Sequence, residues 1–308
     1  MGSLGASDLP VTAPGAGRRR LILHAGTPRT GTTALQISLH RHSDELRASG
    51  ILYPPLHLKA VGPPKHQWIV KAMRESDRAE VLSEELAGLL SGLSGDIHTV
   101  ILSSEGLFLH WWDFSDNGRR VLRSLRELAN VEVWVWFREA VAFARSLYTQ
   151  MLLNPQVADA LYGRDISFEE ILAIPSFARQ LDYASYIRDV EDVLGHAVVH
   201  PHAYHGDTVN EFFKLLGVDI IDDERAVDHK TPGSVGVDLI RRINRVPLDR
   251  ARKARAVDLI LQLQDVVDRS PFQVSEEASS RVAQINEASR DLLARDYGIV
   301  LGVAEKAH

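Results

Sequence analysis

The chain has 308 residues, 35 Lys+Arg against 41 Asp+Glu, a formal net charge of −6 and no cysteine. Lack of Cys excludes a disulfide framework, thiolate catalysis and Cys-ligated metal centres, and the acidic balance argues against a general nucleic-acid binder. At 45% hydrophobic and 25% charged, with no run near the ~18 apolar residues of a membrane span, the composition is that of a globular protein with a sizeable core and a cytoplasmic setting.

Residues 1–17 are mostly Gly, Ala, Ser, Pro and Thr with almost no charge and are expected to form a disordered lead-in without a secretory pattern. A single domain is expected over residues 18–304. Leu21–Ala25 is a compact apolar run, read as a buried strand, and Thr33–Leu46 has helical spacing. Thr99–Leu102 and Val131–Phe137 read as further strands, with an amphipathic helix, Asn117–Leu128, between them. Phe143–Leu153 and Leu181–Leu194 read as helices and His196–His200 as a strand. From Val235 onward the pattern is nearly all helical, notably Ala256–Val267 and Ser279–Leu293. Strands interleaved with helices predict an α/β fold: a mainly parallel sheet flanked by helices, of P-loop type, with a helical C-terminal third. Ligands on such sheets bind at the carboxyl ends of the strands.

The first strand runs into Gly26-Thr27-Pro28-Arg29-Thr30-Gly31-Thr32-Thr33 and then a helix. Glycines at 26 and 31 permit backbone shapes barred to other residues, and the amides of a helix N-terminus attract an anion. Arg29 adds a cation, and Thr32 and Thr33 are read as hydroxyl donors. The G-x-x-x-x-G spacing matches a nucleotide phosphate loop, but Thr32 stands where an ATP- or GTP-binding loop needs Lys. The strand that would carry a Mg²⁺-holding Asp ends instead in Ser103-Ser104-Glu105. The loop therefore reads as an anion site without a metal. Arg outnumbers Lys 28 to 7, so Arg29 in a position that suits Lys follows the composition of the chain, although the two cations differ in shape.

A second anion anchor is read at Arg138, directly after the strand Val131–Phe137, with Ser146 eight residues on and about two helical turns away. Together the two motifs resemble those of sulfotransferases that use 3′-phosphoadenosine 5′-phosphosulfate (PAPS). Thr27-Pro28-Arg29-Thr30-Gly31-Thr32-Thr33 resembles their 5′-phosphosulfate loop, with Arg29 for the usual Lys. Arg138…Ser146-x-Tyr148 resembles their 3′-phosphate element, with Ala140 where Pro is frequent. Gly50-Ile51-Leu52-Tyr53-Pro54, Ile101-Leu102-Ser103-Ser104-Glu105 and Tyr297-Gly298-Ile299 extend the similarity to about residues 20–300.

The resemblance implies metal-independent sulfuryl transfer from PAPS to the hydroxyl of a small molecule or carbohydrate. It assigns Arg29, Thr30, Gly31, Thr32, Thr33, Arg138 and Ser146 to the donor, with Lys230 and Ser234 as looser cofactor contacts. Arg29 is also expected to neutralise charge growing on the leaving phosphate. For the general base, the sequence offers His66 and Glu105, with His66 placed first because a loop histidine titrates near neutrality. His200-x-His202 is read as alternate residues of a strand and not as a metal site. A P-loop kinase or NTPase, and a nucleotide-binding relative without chemistry, are the alternatives. Nothing in the sequence fixes the oligomeric state.

Overall fold

The structure is a computed structural model that describes residues 18–58, 62–154, 161–223, 232–267 and 272–302. The expected disordered lead-in and Lys230 lie outside the described residues. The chain divides into two compact units. The first comprises Met1–Phe137, Ala184–Ala226 and Asp291–Leu301; the second comprises Arg138–Tyr183, Val227–Arg290 and Gly302–His308.

The first unit is built on a five-stranded sheet: β1 (Arg20–Ala25), β2 (Ile51–Leu52), β3 (Thr99–Ser104), β4 (Asn130–Phe137) and β5 (Val199–Ala203). Their order is β2-β3-β1-β4-β5 with every pairing parallel, the α/β arrangement expected of apolar runs interleaved with helices. The central strands β1 and β3 are buried along almost their whole length, which explains why they read as unbroken apolar runs and not as alternating ones. On one face Ile22, Ile101, Trp134 and Trp136 pack with Leu35 and Leu39 of the helix Thr32–Arg41 and with Phe212 and Phe213 of the helix Thr208–Leu216. On the other face Phe137 meets Phe108 and Tyr186, ring centroids 6.3 and 6.4 Å away. Trp136 is fully buried, so truncation to Ala would cost about 3–5 kcal/mol.

Several elements depart from the expected bounds. The helix predicted over Thr33–Leu46 is two helices, Thr32–Arg41 and Ser43–Ala48. His42 leaves helical geometry (φ −92°, ψ 22°) where Ser43 and Asp44 favour a new start. The strand expected at His196–His200 begins only at Val199, because Gly195 (φ 95°) and Ala197 (φ 59°) turn the chain first. The helices Gln67–Arg74 and Ser76–Ser91 and the two-residue strand β2 were not expected.

The second unit is helical, with Ala140–Leu153, Phe168–Leu172, Ser234–Arg245, Arg250–Val267 and Glu276–Ile285 as its main elements. Glu139 starts the first of these by accepting the main-chain N–H groups of Val141 (2.9 Å) and Ala142 (2.8 Å), the satisfaction that a helix start requires. Tyr148 packs against Phe168 and Phe272 at 5.3 and 5.5 Å. Asp165 bridges Arg241 at 3.0 Å and also Arg245. Lys253, 3% exposed, donates to the Gly163 carbonyl at 2.9 Å. The helix expected over Ser279–Leu293 is broken at Asn286, whose side-chain amide donates to the Leu181 carbonyl. No helix among the described residues is long and apolar enough to cross a membrane.

Candidate functional site

The loop at the carboxyl end of β1 has an unusual backbone. Arg29 (φ 67°) and Gly31 (φ 79°) are both left-handed, on either side of Thr30. For Arg29 this costs about 1–2 kcal/mol, which the surrounding structure must offset. Alternation of this kind turns successive main-chain N–H groups towards a common concavity that suits an anion. Gly31 is also the N-terminal flank of the helix Thr32–Arg41, and neither a capping side chain nor an acidic residue occupies that first turn. Loop and helix terminus therefore offer the same kind of donor.

The loop is braced from within. The Thr30 hydroxyl donates to the Thr27 carbonyl at 2.8 Å, and the Thr32 hydroxyl reaches the same oxygen at 3.3 Å. The Thr27 hydroxyl donates to the Trp136 carbonyl of β4 at 2.6 Å. Thr32, expected to offer its hydroxyl outward, thus spends its proton inside the loop, and Thr27, Thr30 and Thr32 are each no more than 2% exposed. Gly26 has no room for a side chain, since a Cβ there would lie 2.3 Å from Thr32 Cγ2. Thr33, the next residue on the helix, is half-buried.

His66 is not the exposed loop histidine expected from sequence. It is 0% exposed and both ring nitrogens are engaged: Nδ1 accepts from the Ser103 N–H at 3.1 Å, and Nε2–H donates to the Pro54 carbonyl at 2.9 Å. Its own N–H donates to the Ser103 carbonyl at 2.9 Å. Burial pushes its pKa down to about 4, against the pull of the Pro54 carbonyl. Both lone-pair and N–H sides of the ring are thus occupied within the fold. Glu105, by contrast, follows the last residue of β3 and is half-buried, with Lys65 Nζ 3.6 Å from its Oε2. The side chain stands at the carboxyl edge of the sheet, where ligands of such folds bind.

Beneath this edge lies a buried polar group that the sequence did not announce. Ser103 Oγ sits 2.8 Å from His24 Nδ1 and accepts from Gln36 Nε2 at 3.1 Å. Desolvation, helped by His202, lowers the His24 pKa to about 3. His202 is stacked on Trp136, ring centroids 4.5 Å apart, and burial lowers its pKa to about 4. Trp136 in turn donates its indole N–H to Glu211 Oε2 at 2.8 Å. Among the described residues, no three His, Asp or Glu side chains gather as metal donors.

In the second unit, Arg138 precedes the Glu139 cap, and Ser146 lies 8% exposed on the helix Ala140–Leu153. The Arg138 carbonyl accepts from the Tyr183 hydroxyl at 2.9 Å. Because Glu139 already takes the first N–H groups of this helix, a phosphate here would be left to the Arg138 side chain and Ser146, not to the helix terminus. Arg145, missed in the sequence, is close enough to feel this cluster: desolvation first, then the Arg138 charge, lower its pKa, and Glu139 opposes them. The helical spacing of 138 and 145, near two full turns, was the signal available. Ser234 starts the helix Ser234–Arg245 and lines an open cavity of about 360 Å³ with Tyr148, Phe168, Arg241 and Phe272.

No family model matches this chain, and no curated protein matches it either. Among solved structures, the chain is similar to a sulfotransferase from Alicyclobacillus acidocaldarius, at 15% identity over 80% of this chain and 96% of that one, with a TM-score of 0.40.

Proposed function

We propose that the protein is a PAPS-dependent sulfotransferase acting on a hydroxyl of a small-molecule or carbohydrate acceptor in the cytoplasm, with residues 18–304 forming the functional unit. One observation carries the proposal: left-handed Arg29 and Gly31 precede a helix start that no side chain caps, at the carboxyl end of β1. The residues fit a phosphosulfate there, since a left-handed turn at Arg29 and Gly31 ahead of an uncapped helix start, without acidic neighbours in the helix turn, suits an anionic group.

When bound, PAPS would supply an activated sulfuryl group on a phosphate leaving group. The loop N–H groups and Arg29 would bind that phosphate and stabilise the charge it gains as its bond to sulfur breaks. Thr30 and Thr32 would keep the loop in shape, and Thr33 would stand at the helix start. Glu105 would take the proton of the acceptor hydroxyl as its oxygen bonds to sulfur; the hydrogen bonds already made by both ring nitrogens of His66 favour Glu105 of the two candidates. Arg138 and Ser146 are assigned to the 3′-phosphate by their sequence pattern, with Ser234 and Lys230 as further donor contacts. A group gripped away from the reacting bond would give binding energy and discriminate against ATP.

The test is calorimetric titration with adenosine 3′,5′-bisphosphate in the presence of EDTA, followed by transfer of labelled sulfate from PAPS to a panel of hydroxyl acceptors. Metal-independent binding that weakens at least tenfold in Arg138→Ala, with transfer lost in Glu105→Gln, supports the reading. A preference for Mg·ATP that is indifferent to Arg138→Ala would make the protein a kinase or NTPase. Binding of the bisphosphate without transfer to any acceptor would make it a non-catalytic relative.

A further inference from the structure

We propose that Thr208 is a positioning residue that holds the anion loop in its binding shape. The inference rests on that loop being the anion site of the preceding section. The Thr208 hydroxyl donates to the Thr30 carbonyl at 2.7 Å, across 178 residues of sequence. Both residues are buried, at 2% and 1% exposure, so no water is at hand to replace the bond.

The Thr30 carbonyl belongs to the peptide that joins Thr30 to Gly31. A peptide group is planar and trans, so its C=O and N–H point in opposite directions. Fixing the carbonyl towards Thr208 therefore fixes the Gly31 N–H away from it. This peptide lies between the two left-handed residues Arg29 and Gly31, where a flip of the plane is the natural failure of the loop. Thr208 holds that carbonyl from outside the loop.

The clamp is itself anchored. Asp207 caps the helix Thr208–Leu216 by accepting the Asn210 N–H at 3.2 Å. One turn further on, Glu211 accepts from the Trp136 indole, and the Trp136 carbonyl holds the Thr27 hydroxyl. Helix and strand thus grip the two ends of one short loop. The approach is close: a Cβ added to Gly31 would meet Thr208 Cβ at 3.4 Å.

The experiment compares full-length wild type with Thr208→Val, which keeps the shape and loses the hydroxyl, and Thr208→Ser, which keeps the hydroxyl. Affinity for adenosine 3′,5′-bisphosphate and for inorganic pyrophosphate is measured by calorimetry beside the melting temperature. Losing a buried hydrogen bond of this kind corresponds to a roughly tenfold loss. Thr208→Val is expected to weaken both ligands by that factor, and Thr208→Ser to stay within about twofold of wild type. Thr208→Ala supplies a second hydroxyl-free variant should Val prevent folding. Wild-type affinity in both hydroxyl-free variants, or a Ser variant as weak as Val, overturns the proposal. If wild type binds pyrophosphate but not the bisphosphate, the donor reading fails while the clamp is still tested on pyrophosphate. If wild type binds neither, both fall.

Discussion

The main-chain N–H of Ser103 donates to His66 Nδ1 at 3.1 Å while the His66 N–H returns to the Ser103 carbonyl at 2.9 Å. This two-way link ties the start of the helix Gln67–Arg74 to the end of β3, two residues before Glu105. Replacing His66 by Ala removes a buried ring and leaves a main-chain donor and the Pro54 carbonyl without partners. A loss of about 2–4 kcal/mol in urea unfolding is expected. Glu105→Gln should leave the unfolding midpoint nearly unchanged while removing transfer. Equal loss of transfer in both variants, with His66→Ala as stable as wild type, would return the base to His66.

Acid should loosen the first unit well above the usual carboxylate range. His24, His66 and His202 have pKa values lowered from 6.5 to about 3, 4 and 4, chiefly by burial. In the unfolded chain each binds a proton near pH 6.5, whereas in the folded protein each stays neutral until far lower pH. Folding stability from these groups is therefore fully present above pH 6.5, declines as pH falls towards 4, and levels off below the folded values. With one pKa unit equivalent to about 1.4 kcal/mol, the combined loss reaches several kcal/mol. Urea midpoints measured from pH 7.5 to 4.5 should stay level to about pH 6.5 and fall from there to pH 4.5, and His202→Phe should flatten part of that slope. A midpoint constant down to pH 5 would refute this.

Arg29 sets stability against binding. Its left-handed backbone (φ 67°) suits Gly, so Arg29→Gly should raise stability by up to about 1 kcal/mol. The same change removes the loop cation, and affinity for adenosine 3′,5′-bisphosphate should fall ten- to a hundredfold, the worth of a charge-assisted hydrogen bond. Arg29→Lys keeps both the strain and the charge and should lie between the two in affinity. Melting temperature and calorimetry on the same samples check both halves.

Gly26 offers a steric test of the loop. A methyl group at this position would sit 2.3 Å from Thr32 Cγ2 and 2.4 Å from its hydroxyl, so Thr32 must move and its bond to the Thr27 carbonyl with it. Gly26→Ala should cost about 1–3 kcal/mol and weaken bisphosphate binding more than tenfold. Gly95→Ala, where an added Cβ meets nothing within 4 Å, is the control and should stay within about 0.5 kcal/mol of wild type. Equal behaviour of the two variants would show that the loop does not need its tight turn.

Parallel strands buried on both faces leave a continuous apolar trace, and this is why β1, β3 and β4 were legible in the sequence. The strand β5, Val199-His200-Pro201-His202-Ala203, has no such trace, since its histidines gain their place only by packing on Trp134 and Trp136. β2 is two residues long and too short for any period to register. The helix Ser76–Ser91 did carry a signal, in Ala79, Leu82, Leu86 and Leu90, which are all buried. The turn between β1 and the helix Thr32–Arg41 was legible because Gly26 and Gly31 are required by its geometry. His66 was not: whether a histidine is free or bound depends here on Ser103, 37 residues away, and on the Pro54 carbonyl. The direction of the Thr32 hydroxyl and the claim of Glu139 on its own helix depend likewise on torsion angles, which residue types leave open.

Three threonines whose hydroxyls turn inward mean that this turn would meet its guest mainly with peptide groups, and peptide groups are the same in every protein. Its shape is written in torsion angles, and the hydroxyls at positions 27, 30 and 32 brace those angles. Such a turn can change its spelling considerably while keeping its shape, provided that small residues remain at 26 and 31.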